Sequence, residues 1–199
     1  MKIYIPIVIG ILLASACNSN QAPVTDTNSA TQKNTATRDP SIDAANLIRP
    51  GIGIGEVSLG ENAERLYEKM GKPDAADAAM GKSIDTWYDD HDVKSYSLSV
   101  YTERDLGKDN PPAIIRQIRV TAPQYRTTDQ VGVGTSLAIL QERYQLEAGA
   151  GYHSEQKPVR VFTDTKGIAF EINEDGECIG VLVYPNGTLQ ADSYLKFIQ

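Results

Sequence analysis

VSLGENAERLYEKM (57–70), closed by Gly71-Lys72-Pro73-Asp74, is the stretch on which the fold reading turns. Ala63, Leu66, Tyr67 and Met70 recur at i, i+3, i+4 and i+7, while Glu61, Glu64, Arg65, Glu68 and Lys69 take the other side. A 3.6-residue period of this kind predicts an amphipathic helix with one buried stripe. Gly60 stands just before it; Gly71 and Pro73 stop it, glycine by taking the left-handed cap and proline by refusing to continue. Shifted by 74 positions, the same opening returns as VGVGTSLAILQERY (131–144), with Val57/Val131, Gly60/Gly134, Leu66/Leu140 and Glu68/Glu142 coinciding. Leu137, Leu140 and Tyr144 give a second helix its apolar spacing from about Thr135.

Strand patterns follow each helix. Thr86-Trp87-Tyr88 is one candidate; Tyr96, Leu98 and Val100 alternate with polar residues, and Ile118 and Val120 alternate with Gln117 and Arg119. In the second half, Val159 to Phe162 matches the Trp87 region, and Ile168, Phe170 and Ile172 alternate before Asp175-Gly176. Ile179, Val181 and Val183 alternate after it, and Asp-Gly between two such runs is a hairpin signal. Pro123 and Pro185 close the two halves. The expected fold class is α+β, two tandem helix-plus-antiparallel-strand repeats forming a layered α/β sandwich. The repeats are expected at 46–123 and 124–199, the second ending in a short helix, Asp192 to Ile198, that covers an apolar edge with Leu195 and Ile198. The apparent glycine-rich motif Gly51-Ile52-Gly53-Ile54-Gly55 lacks the spacing of a nucleotide loop and reads as a flexible lead into the first repeat.

The N-terminus points to a compartment. Lys2 precedes an apolar run, Ile3 to Leu13, too short to span a bilayer, then Ala14-Ser15-Ala16 and Cys17. This segment resembles the lipobox of bacterial lipoproteins, although Leu13 lies four places before the cysteine rather than the usual three. The resemblance implies removal of residues 1–16, lipidation of Cys17, and several acyl chains that anchor the protein durably. Asn18 rather than Asp after the cysteine leans towards the outer membrane. From Cys17 to Ala45 the chain is rich in Thr, Asn, Ser and Gln; it offers little to bury and reads as a disordered tether reaching about 30 Å.

The folded part has its own resemblance. A helix introduced by V-x-[LV]-G, left in the first copy through Gly71-Lys72-Pro73-Asp74 and followed by a small antiparallel sheet, resembles the β-lactamase inhibitor protein. It also resembles the small outer-membrane assembly lipoproteins (SmpA/OmlA type). That likeness implies a sandwich whose sheet face or hairpin loops bind another protein. The inhibitor's contact loops and disulfides have no counterpart here. One asymmetry singles out a surface: the second hairpin turns in about five residues, but the first needs about twelve, TERDLGKDNPPA (102–113). Hairpin loops are usually shorter, so Arg104, Asp105, Lys108 and Asp109 become the candidate protein contacts.

Composition narrows the chemistry. The 199 residues carry a formal charge of −7, and loss of Lys2 with the signal makes it more negative still. With no basic run, nucleic acid is not an expected partner. Cys17 and Cys178 are the two cysteines; lipidation of the first leaves the second without a partner in the chain, so packing rather than disulfides holds the fold. Tyr88-Asp89-Asp90-His91-Asp92 looks like a cation site but lacks a calcium-loop pattern, and adjacent side chains diverge. The histidines, His91 and His153, have no G-x-S-x-G partner. Glu177 argues against a thiolate at Cys178. Trp87, Tyr88, Tyr96 and Tyr101 read as core or as an aromatic platform. The expectation is a non-enzymatic lipoprotein of the cell envelope, without cofactor or metal, that binds a protein partner. The alternatives are a small-molecule or ion-binding module and a β-lactamase-inhibitor-like enzyme inhibitor.

Overall fold

The structure, a computed structural model, describes residues 42–187 and Leu189. Cys17, most of the expected tether and the expected C-terminal helix lie outside the described residues. The described chain opens with a 3-10 turn, Ala44–Asn46, capped by the Asp43 carboxylate. Three short strands follow: β1 (Leu47–Arg49), β2 (Gly53–Ile54) and β3 (Val57–Ser58). The glycine-rich stretch is therefore ordered sheet rather than a loose lead. Gly53 is the key to it, because a Cβ there would sit 2.2 Å from the Val57 carbonyl oxygen of the neighbouring strand.

Helix α1 (Ala63–Met70) buries Ala63 and Leu66 of the expected stripe and half-buries Tyr67, but its last residue, Met70, is exposed; Asn62 is its N-cap and Gly71 its C-cap at φ 77°. Then come β4 (Ala75–Ala79), β5 (Lys82–Tyr88), β6 (Ser97–Glu103), β7 (Ile114–Val120) and the short β8 (Arg126–Thr127). Helix α2 (Leu137–Arg143) buries Leu140. It is followed by β9 (Glu147–Ala148), β10 (Tyr152–Ser154), β11 (Lys157–Asp164), β12 (Ile168–Ile172) and β13 (Cys178–Val183). Both helices start by the same construction. Gly60 and Gly134 adopt left-handed φ of 82° and 85°. Their amides then donate to the carbonyls of Ile115 and Cys178 across the adjoining strand.

The expected α/β sandwich of two tandem repeats does not form. The described residues are mainly β, in a small sheet ordered β3-β2-β1-β8 and a nine-stranded sheet ordered β10-β11-β12-β13-β7-β6-β5-β4, with β9 beside β11. Two physical reasons account for the difference. The helices have eight and seven residues and bury so few side chains that they plug one sheet face instead of forming a layer. The strands of the two halves also join edge to edge, Val120 opposite Val181 and Ile118 opposite Val183. Two separate sheets would each leave one more edge with unpaired backbone groups.

The main core lies on the helix side of the large sheet. Ile118, Val120, Ile168, Phe170, Val181 and Val183 are fully buried there. They pack with Leu66, Leu140, Tyr144 and the small-sheet residues Ile48, Ile54 and Val57. Tyr144 meets Phe170 at 5.3 Å between ring centroids. Because successive strand residues point to opposite faces, this arrangement dictates what the other face carries.

Candidate functional site

The opposite face of the large sheet is unusually polar at its centre. Along β5 the residues turned to it are Ile84, Thr86 and Tyr88; on β6 and β7 they are Ser97, Ser99, Tyr101, Gln117 and Arg119, as the pairings Thr86↔Ser99 and Ser99↔Arg119 require, with Thr121 just past the end of β7. Thr86 and Ser99 share a hydroxyl hydrogen bond of 2.9 Å. Thr121 Oγ1 accepts from the Ser97 amide at 2.7 Å.

Arg119 continues this row and pairs with Glu171 of β12. Its Nε lies 3.0 Å from both carboxylate oxygens, and Nη2 lies 2.7 Å from Oε2. The Glu171 side chain is 0% exposed and that of Arg119 is 11% exposed. Strand β13 runs between β7 and β12, so the pair must reach across it. Gly180, the ladder partner of Glu171, makes that possible. A Cβ at Gly180 would lie 2.1 Å from Glu171 Oε2 and 3.2 Å from Arg119 Nη2. A forked guanidinium on a carboxylate is the geometry that can satisfy a buried charge. Beside it, burial foremost, and then the negative charge of Glu171, push the Tyr152 hydroxyl pKa upward.

An open groove of about 690 Å³ lies on this face. Thr86, Ser99 and Arg119 line it along the sheet; Tyr88, Val93 and Tyr96 come from the β5–β6 connection; Ala75, Ala76 and Asp77 come from the outermost strand, β4. Val93 is 70% and Tyr96 48% exposed. The β5–β6 connection is held in place from outside. Asp74 Oδ2 accepts the Tyr88 amide at 2.8 Å, and Asp74 Oδ1 meets His91 Nδ1 at 2.6 Å. Asp90 and His91 both have positive φ, 51° and 58°, a conformation that non-glycine side chains rarely adopt. The Tyr88 amide, with His91 second, holds the Asp74 carboxyl below the usual carboxylate range.

The residues singled out in the sequence fall in several places. Arg104, Asp105, Lys108 and Asp109 occupy the β6–β7 connection. There Arg104 Nη1 donates to the Pro111 carbonyl at 2.7 Å, and Lys108 Nζ pairs with Asp105 at 3.1 Å. The connection folds against the β4–β5 turn, where the Arg104 amide donates to Gly81 O at 2.7 Å. Leu106 and Met80 are 68% and 89% exposed on these two segments. None of the four charged residues lines the groove.

The aromatic candidates divide. Trp87 faces the core, 6.1 Å from Tyr67, and its Nε1 donates to Gly71 O. Tyr101 is buried and donates to Glu103. Tyr88 and Tyr96 line the groove. His91 is bound to Asp74 and His153 sits on β10, exposed. Among the described residues no cluster of three His, Cys, Asp or Glu side chains could hold a metal. Cys178 is buried, and desolvation raises its thiol to about 12. Sequence reasoning missed Glu171, Gly180 and β4. The signal for Glu171 was its place between Phe170 and Ile172: a charge in so apolar a strand needs a partner on the same face.

No family model matches the chain, and no curated protein sequence matches it. Among solved structures it is similar to a cysteine-rich secretory protein from Staphylococcus aureus subsp. aureus Mu50, at 14% identity and a TM-score of 0.44. That match covers 72% of this chain and 48% of that one. It is also similar to an extracellular protein containing a SCP domain from Bacillus anthracis str. Ames, at 13% identity and a TM-score of 0.40, covering 67% and 51%. The chain thus spans about half the length of these proteins. Both are secreted or extracellular by description, and at these scores the likeness says nothing of what this chain does. Among the described residues no helix is long and apolar enough to cross a membrane.

Proposed function

We propose that the protein is a lipoprotein of the cell envelope, anchored outside the cytoplasm through Cys17, whose folded part binds another protein without catalysing a reaction. The observation that carries the binding reading is the open groove. It combines exposed apolar side chains (Val93, Tyr96) with a hydroxyl-rich floor, the mixture of apolar anchor and polar surround that protein-binding surfaces use. The residues around Cys17 support the anchor, and retention at the outer membrane is the finer form of the same proposal. Arg104, Asp105, Lys108 and Asp109 stay in the proposal as a second, rim contact, next to the exposed Leu106 and Met80.

The test is crosslinking in intact cells followed by capture of the lipidated protein. One dominant protein partner is expected, lost in a Val93→Asp/Tyr96→Ala variant that keeps its fold. Capture of no protein at all would overturn the reading. The groove's volume also suits a small ligand, and that alternative would gain support if a bound small molecule co-purified in place of a protein.

A further inference from the structure

We infer that β4 is an acceptor edge for an extended segment of the protein partner that carries a lysine or arginine opposite Asp77; this rests on the protein-binding reading above. Among the described residues, strand β4 ends the order of the large sheet and pairs with β5 alone. All five of its residues, Ala75-Ala76-Asp77-Ala78-Ala79, are exposed. Edges are protected by prolines, bulges and charged side chains, lysine above all. This one has no proline, lysine or bulge and a single charge, Asp77, which bars some strands and admits others, and its pairing with β5 runs without a break in register from Ala75↔Thr86 to Ala79↔Lys82. Its side chains are small enough for another strand to lie flat against it.

Charge selects the occupant. Asp77 pairs with Ile84 and lies on the groove side together with Ala75. It is the one charge on the strand. The segment Ala-Ala-Asp-Ala-Ala reads the same in both directions, so two copies pairing antiparallel in register would set Asp77 opposite Asp77. Like charges directly opposite are destabilising, whereas a basic residue there is favourable. Self-pairing is thereby disfavoured in a chain that is already acidic, and a foreign strand with a cation is favoured. Main-chain hydrogen bonds supply the attachment, as in other cases of strand addition. The partner's side chains on that face then stand beside Ala75 and Asp77, which line the groove, and this ties the edge to the groove.

The experiment uses the full lipidated chain in detergent micelles and two synthetic peptides of alternating valine and threonine, one with a central lysine and one with a central glutamate. Hydrogen exchange of residues 75–79 is the readout. The lysine peptide is expected to slow exchange there and to bind about three- to tenfold more tightly than the glutamate peptide, with Asp77→Lys reversing the order. No slowing by either peptide, or a preference that Asp77→Lys leaves unchanged, overturns the inference. So does slowing that grows with protein concentration in the absence of peptide, which would make a second copy the occupant. Photocrosslinks placed in cells at Ala76 and at Val93 separate this inference from the reading beneath it. A partner captured from Val93 and not from Ala76 overturns the edge alone; capture from neither overturns both.

Discussion

Gly180 shows how one missing side chain can decide what a sheet face is able to hold. Arg119 and Glu171 meet only because nothing stands on the strand between them. Gly180→Ala is expected to cost about 1–3 kcal/mol by forcing the pair apart, read as a lower denaturant midpoint. Arg119→Ala should cost about 3–5 kcal/mol, since it strands a wholly buried carboxylate, whereas the double change Arg119→Met/Glu171→Leu should recover most of that loss. Equal destabilisation by the single and double variants would contradict this account of the pair.

Three further groups contribute to the response to pH. Burial, then the hydrogen bond to Asp85, raise the Tyr67 hydroxyl to about 12, and Tyr184 is raised to about 12 by burial. A raised pKa in the folded state gives stability that is complete below the unfolded value of about 10 and is lost as pH climbs through 12. Tyrosinate absorbance and unfolding should therefore rise together in that window. For Asp74 the folded pKa is lowered, so its contribution is present above about 4 and fades as pH falls through the depressed value. The stability difference between the native protein and Asp74→Asn should shrink correspondingly in acid.

The elements differ in how far the sequence announced them. Helix α1 was legible because its stripe and its Gly71-Pro73 stop are written in consecutive residues, and α2 by its stripe, within a residue or two; the N-caps, Asn62 and Ser136, were not read. Their caps are not equivalent, however. Asn62 Oδ1 accepts the Glu64 amide at 3.1 Å, while the Ser136 side chain makes no capping bond. Asn62→Ala should therefore cost about 1 kcal/mol of unfolding free energy, and Ser136→Ala less than about 0.5.

Strands β6, β7, β12 and β13 declared themselves by alternation, and β5 and β11 in part, as short candidate runs. Strand β4 did not, because Ala-Ala-Asp-Ala-Ala has helix-forming composition and no β-branched residue. It is a strand because the Met80-Gly81 turn returns the chain along β5, Gly81 having φ 78°. Pairing across a turn overrides local propensity here. The small sheet was hidden for a related reason: two- and three-residue strands are too short for any period to register, and β8 joins β1 from far along the chain.

On the scale of the molecule, the sequence's error was to infer layers from repeated local pattern. The similarity between residues 57–70 and 131–144 is local, describing how each helix starts; it does not determine whether the strands that follow close into separate layers or one sheet. That depends on the β7–β13 pairing, between segments some sixty residues apart, which no periodicity encodes. The candidate site was still less legible, because its groove gathers residues from β4, β5, β6, β7, β10, β13 and the loop after β5, and the charged loop 102–113 that stood out in the sequence is held by bonds among its own residues. Placement outside the cytoplasm rests on the first seventeen residues, and Cys17→Ser should abolish incorporation of labelled fatty acid and release the protein from the membrane fraction.

The central claim is that the groove is where a protein partner binds, and it is tested most directly by a photo-crosslinking amino acid at Val93, activated in intact cells. The account predicts one dominant crosslinked protein, diminished when Tyr96 is replaced by alanine and absent when the probe is placed instead at Glu174, exposed on the β12–β13 turn and outside the groove. Crosslinks to no protein, or an unchanged pattern in the Tyr96→Ala background, would contradict it.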